Sequence, residues 1–134
     1  MAIYEYRAKC VRVIDGDTVD LDVDLGFHMR ALTRFRLLGV NTPELRGGDA
    51  DTKLAAQAAK KRAQELLFAV PEDNSFPVDL LIHTEKADSF GRWLASVMIF
   101  TDTLPLIPDG PTLPAWISIS DILIYEGLGL PYRK

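Results

Sequence analysis

The sequence has one cysteine, Cys10, and two histidines, His28 and His83. A lone cysteine excludes an internal disulfide, and neither histidine has a Cys or His neighbour at zinc-ligand spacing. Cys10 stands among alternating residues and is expected to be a small, buried apolar side chain. No hydrophobic run approaches the ~20 residues that span a bilayer. The first ten residues, MAIYEYRAKC, contain no apolar signal-peptide core. A cytoplasmic chain without membrane contact is therefore expected. Positive charge is not in excess: 15 Lys and Arg stand against 19 Asp and Glu, a net charge of -4. A broad nucleic-acid-binding surface ordinarily needs surplus Lys and Arg to displace counterions, so any such contact is expected to be small and local. Repeats and low-complexity segments are also absent. What remains is 134 residues, 48% hydrophobic and 25% charged, as for one soluble domain with its own core, expected to be monomeric.

The pattern of alternation gives the elements. Residues 3–13 (IYEYRAKCVRV) are rich in β-branched and aromatic side chains and predict a strand. DGDT, residues 15–18, predicts a turn in which Gly16 permits an unusual backbone. VDLDVDL, residues 19–25, alternates strictly, with Val19, Leu21, Val23 and Leu25 on one face and Asp20, Asp22 and Asp24 on the other. Gly26 predicts a reversal, and residues 27–40 predict the returning strand, with Phe27, Met29, Phe35 and Leu37 on one parity. Residues 53–70 change to helical spacing through Ala55, Ala59, Ala63, Leu66, Leu67 and Val70, with Asp51 or Thr52 as N-cap and Pro71 beyond the end. A loop at 72–77, a strand at 78–83, a turn at 87–91 and a strand at 92–100 follow. Pro105, Pro108, Pro111 and Pro114 mark 101–115 as a long irregular loop. Ser120 is expected to cap a short helix, DILIYEG, that ends at Gly127. Three strands, a helix and two strands is the chain order of an OB-fold five-stranded β-barrel, a β-rich α+β fold with one long and one short helix. Fold alone assigns no function.

Three segments carry chemistry: IDGDTV (14–19), FRLLGVNTPE (35–44) and DSFGRWLA (88–95). Cleaving a phosphodiester requires a group to activate water, cations to neutralise the transition state, and commonly a hard metal ion. Carboxylate and amide oxygens suit calcium, and the arginine fork suits phosphate. Taken in order around the helix, the three segments resemble the staphylococcal nuclease (thermonuclease-like) family from about Val11 to Leu128. The resemblance implies an OB barrel and a calcium-dependent hydrolase that cuts DNA or RNA to 3′-phosphate ends. An OB groove tracks exposed bases and backbone, so single strands are expected to be preferred. It implies Asp17, Asn41 and the Thr42 carbonyl as metal ligands, and Glu44 as the residue that positions or deprotonates water. It further implies Arg36 and Arg92 on the scissile phosphate, with Arg92 nearer the leaving oxygen, and Phe90 and Tyr132 on the nucleotide. The sequence departs from the family at Asn41, where a carboxylate is usual, and at Phe90, where a tyrosine is frequent. It departs again in LRGGDADT (45–52), where a basic loop is expected.

Structural readings stand beside these. Asp15 belongs to the turn. Asp20, Asp22 and Asp24 are expected on a solvated strand face opposite Arg30 and Arg34. Arg36, by alternation alone, is one more exposed strand residue, outside the core. His28 and His83 are structural or exposed, Lys60, Lys61 and Arg62 form a solvated helix face, and Trp93 and Trp116 belong to core or rim. The alternative function is an OB-fold module that binds nucleic acid or protein without cutting. A structural domain within a larger assembly is the third.

Overall fold

The structure, a computed structural model, describes residues 4–43, 49–85, 92–101 and 114–131. In chain order its elements are β1 (Tyr4–Asp15), β2 (Thr18–Gly26), β3 (Met29–Leu37), β4 (Val40–Asn41), α1 (Ala50–Leu67), β5 (Phe68–Val70) and β6 (Ser75–Pro77). They continue as β7 (Leu80–Glu85), β8 (Trp93–Thr101), β9 (Ala115–Ser118), α2 (Ile119–Tyr125) and β10 (Leu130–Pro131). β1 pairs antiparallel with β2 and β7, β2 with β3, and β7 with β8. A short parallel seam, Phe35↔Trp93 to Leu37↔Ala95, joins β3 to β8 and closes a five-stranded barrel. With two helices on that barrel, the fold is the expected β-rich OB type.

Alternation builds the interior. Val19, Leu21 and Val23 are buried on one face of β2 and meet Val13, Phe35, Leu37, Leu80, Ile82 and Val97 in one apolar cluster. The opposite face of β2 carries the aspartates. Arg34 grips Asp20 through two hydrogen bonds of 2.8 and 3.2 Å, and Arg30 reaches Asp22 at 2.9 Å. These exposed pairs set cross-strand register more than stability, since each contributes only about 0.2–1 kcal/mol. Cys10 is buried as expected, and loss of hydration pushes its thiol up to about 12, so it stays protonated and inert.

The β2–β3 hairpin outruns the barrel. Leu25, on the inward parity, is exposed, as are Phe27 and Met29, because no element among the described residues covers the hairpin's far end. Its reversal takes three left-handed residues, Gly26, Phe27 and His28, instead of Gly26 alone.

The helix differs from its sequence reading at both ends. It begins at Ala50 because the Asp49 carboxylate accepts a hydrogen bond from the Thr52 N–H at 2.8 Å, displacing Asp51 and Thr52 as the cap. It ends at Leu67, and Phe68–Val70 pairs instead with Ser75–Pro77 in a small hairpin across the expected loop. Ser118, not Ser120, precedes α2. The Ser120 hydroxyl donates instead to the Leu38 carbonyl at 2.7 Å and ties α2 to the turn after β3. The Pro-rich 102–113 stretch lies outside the described residues. No helix among the described residues is long and apolar enough to cross a membrane.

Candidate active site

One end of the barrel collects the ends of five strands. The turn joining β1 to β2 presents Asp17, the last residues of β3 present Arg36, the short strand β4 leads to Asn41 and Thr42, and the residue before β8 is Arg92. Strand pairing forces this meeting, since Thr18 opposes Arg36 and Arg36 opposes Leu94. Gly16 lets α1 complete the wall. A Cβ there would lie 2.8 Å from the Ala59 Cβ and 2.9 Å from the Thr42 hydroxyl, so the residue is glycine for want of space. Its backbone is not left-handed, contrary to the role expected from the turn.

Asp17 is 8% exposed and Arg36 is 8% exposed. The Asp17 Oδ2 accepts from the Thr42 N–H at 3.0 Å and lies 3.4 Å from the Arg36 Nη1. Arg36 is therefore a buried residue and not an exposed one outside the core. Its Nη1 donates to the carbonyl oxygens of Leu37 at 3.0 Å and Val40 at 2.8 Å, and its Nη2 donates to the Asn41 Oδ1 at 3.3 Å. A group with a permanent charge and five donors can be buried here because backbone carbonyls and a carboxylate satisfy it. The guanidinium thus fixes the turn that leads to Asn41 and Thr42.

Arg92, half-buried, donates from its Nη1 to the Thr18 hydroxyl at 3.3 Å. That hydroxyl donates in turn to the Asp17 Oδ1 at 3.3 Å. Thr18 connects the two sides of the cluster, a position the sequence reading did not single out. Its signal was present, since Thr18 is the last residue of the DGDT turn and is buried on the outward parity of β2.

Of the residues expected in a site, Asp17, Arg36, Asn41, Thr42 and Arg92 come together. Glu44, Phe90 and Tyr132 lie outside the described residues. Asp15 sits at the end of β1 beside the cluster. His28 is in the remote hairpin turn and His83 pairs with Glu5 at 3.1 Å. Arg62 is less solvated than expected of a helix face, gripping Glu126 at 2.7 and 2.9 Å. Trp116 is half-buried, edge-on to Phe100 with centroids 5.5 Å apart and with Arg7 above its ring.

The cluster's oxygens are of the hard type that calcium takes: one carboxylate at Asp17, an amide oxygen at Asn41, and the carbonyl and hydroxyl of Thr42. The Thr42 hydroxyl is buried and has no hydrogen-bond partner among the described residues, an arrangement that costs free energy unless something else meets it. The donor set fits such a cation but supplies little charge. Among the described residues no three acidic, His or Cys side chains gather in one place. A metal held here would draw much of its coordination from outside these side chains, from water or a bound ligand.

No family model matches the chain. The chain is similar to Protein ParB of Escherichia coli, 27% identical over 129 residues that cover 96% of this chain and 59% of that protein. It is similar to the micrococcal nuclease of Shigella flexneri, 29% identical over 130 residues, 96% of this chain and 60% of that protein. An uncharacterized protein of Methanocaldococcus jannaschii is 31% identical over 114 residues, covering 70% of this chain and 49% of that protein. The chain spans about half to three fifths of the length of these relatives. It is thus distantly related to a nuclease.

Proposed function

We propose that this chain is a single nuclease domain that hydrolyses the phosphodiester bonds of DNA or RNA with calcium, leaving 3′-phosphate ends. The observation that carries the reading is the convergence of Asp17, Arg36 and Arg92 from separate strands onto one end of the barrel, linked by a 3.4 Å ion pair and by Thr18. The distant relationship to a nuclease supports it.

The residues divide the work as follows. Arg92, half-buried beside Thr18, binds the scissile phosphate and stabilises charge on the departing 5′ oxygen. Arg36, whose Nη1 donates to backbone carbonyls and whose Nη2 donates to the Asn41 Oδ1, adds its fixed positive charge beside the phosphate. Glu44, which follows Thr42 and Pro43 in the chain, takes a proton from the attacking water. The new phosphorus–oxygen bond forms as the bond to the 5′ oxygen breaks, and the leaving oxygen takes up a proton. Asp17, Asn41 and Thr42 would hold calcium, which when bound supplies positive charge to the phosphate oxygens. With a net charge of -4 the chain meets nucleic acid through this small footprint, and exposed single strands suit it best.

Plasmid and single-stranded DNA are expected to be cut in the presence of calcium and left intact once a chelator is added, as read on a gel. Undiminished cutting in excess chelator would remove calcium from the mechanism. A second reading, a barrel that binds without cutting, is favoured by the way the Arg36 Nη1 serves the backbone. The same assay separates the two.

Asn41 makes its own prediction. Its amide oxygen can coordinate calcium but brings no charge, and ligand charge is a principal determinant of calcium affinity. A less negative pocket also repels the incoming phosphate less. Asn41→Asp is expected to bind calcium more tightly than the parent chain when titrated calorimetrically without nucleotide. Equal affinity would mean that residue 41 is not a ligand.

A further inference from the structure

Where β1 and β8 begin, the described residues of the barrel form a mouth. There a cavity of about 320 Å³ is lined by all five barrel strands. That size falls within the range of small-ligand sites, roughly 300–1,000 Å³. Four aromatic side chains from three strands form much of its wall: Tyr4 and Tyr6 of β1, Phe35 of β3 and Trp93 of β8. No charged side chain is among the described residues that line it. Thr33 and Thr84 also line it, and the Thr84 hydroxyl donates to the Tyr4 carbonyl at 3.5 Å.

Two features decide what belongs there. The first is chemistry. An uncharged cavity with flat aromatic walls and several hydroxyls fits a planar, neutral ring with polar edges. A lipid chain would leave the tyrosine hydroxyls without use, and an anion would meet no cation among the described lining residues. A nucleobase has the required character, and its stacking on aromatic rings is tolerant of sequence.

The second feature is position. Phe35 and Arg36 are consecutive, Arg92 and Trp93 are consecutive, and Phe35 pairs with Trp93 in the seam that closes the barrel. Alternation turns the aromatic member of each pair to the inside of the barrel and the arginine to its outer face, where Arg92 meets Thr18. Trp93 is on the inward parity of β8 with Ala95, Val97 and Ile99, yet it is 47% exposed because the barrel ends at that point. A half-exposed tryptophan at the lip of a cavity presents its face to whatever enters.

We propose that this mouth is a nucleobase subsite, in which a base of the bound strand stacks on Trp93 between the barrel's tyrosines while the strand's phosphate lies at Arg36 and Arg92. The proposal rests on the nuclease reading for its second half only. Binding of a base in the mouth needs neither metal nor cleavage, and the test uses that separation.

The protein has two tryptophans, so Trp116→Phe leaves Trp93 as the sole reporter. Thymidine, which carries no phosphate, is titrated into this variant without calcium, with ribose as the control. Saturable quenching by thymidine and none by ribose is expected. In the parent chain, Trp93→Ala should weaken thymidine binding by equilibrium dialysis roughly 5- to 150-fold, the equivalent of about 1–3 kcal/mol for one stacked base. Trp93→Phe should restore most of the affinity, and an unchanged urea midpoint shows that the fold is intact. Thymidine that neither quenches Trp93 nor distinguishes Trp93→Ala from the parent overturns the subsite, even if plasmid is still cut. Thymidine binding that depends on Trp93 in a chain that cuts nothing upholds the subsite and removes the nuclease reading. Quenching of Trp93 that grows with protein concentration alone would place a second copy of the chain in the mouth and overturn the proposal.

Discussion

Arg36→Ala is expected to lose both activity and a large share of the chain's stability. The substitution removes the partner of a carboxylate whose side chain is only 12% exposed, and it strips donors from the carbonyls of Leu37 and Val40. Breaking a buried pair by deleting one member costs about 3–5 kcal/mol, because the remaining charge is left without compensation. Small domains are stable by only about 5–15 kcal/mol in total. Urea unfolding of Arg36→Ala should therefore show a sharply lowered midpoint with little change in slope. The origin of the loss can be isolated by adding Asp17→Asn, which removes the stranded charge. The double variant should recover part of the midpoint although it has lost both members of the pair. Arg36→Ala unfolding at the parent midpoint would contradict the burial of the guanidinium. The sequence reading placed Arg36 outside the core, and the structure reverses that expectation.

Arg92→Ala should behave differently. Arg92 is half-buried, precedes β8, and donates to the Thr18 hydroxyl at 3.3 Å. Its expected role is to meet negative charge that grows as the phosphodiester breaks, so its loss should fall on turnover. The expected decrease in kcat is about 10² or more, as for removal of one transition-state donor. KM should move less, because ground-state binding does not depend on that developing charge. The unfolding midpoint should stay close to that of the parent. Steady-state cleavage of a single-stranded oligonucleotide with calcium gives the comparison. A parent-like kcat would take Arg92 out of the site.

These two arginines illustrate what is legible in a sequence. Both stand in segments whose residue types suit phosphate chemistry, and both come to one end of the barrel with Asp17, Asn41 and Thr42. Their difference in burial was not legible. Alternation places Arg36 opposite Phe35 and Leu37 and so predicts solvent on that side. The turn after β3, however, folds back and offers two backbone carbonyls to the guanidinium. Backbone acceptors leave no mark in a residue pattern. Thr18 was passed over for a similar reason, since its role depends on Arg92 arriving from a distant strand.

The sequence by itself determined the barrel's strands and long helix, the inward parity of Val19, Leu21, Val23, Phe35 and Leu37, and the pairing of Asp20 and Asp22 with arginines across the hairpin. These features follow from local periodicity and from neighbours across one turn, which the order of residues contains directly. Only the tertiary structure decided the cap at Asp49, the tie from Ser120 to Leu38, the space that requires Gly16 and the closure of β3 on β8. It alone left Leu25, Phe27 and Met29 uncovered and opened the mouth at Trp93. Each of those depends on which distant surface covers a residue or stops short of it, and burial of that kind is settled by the packing of the whole chain.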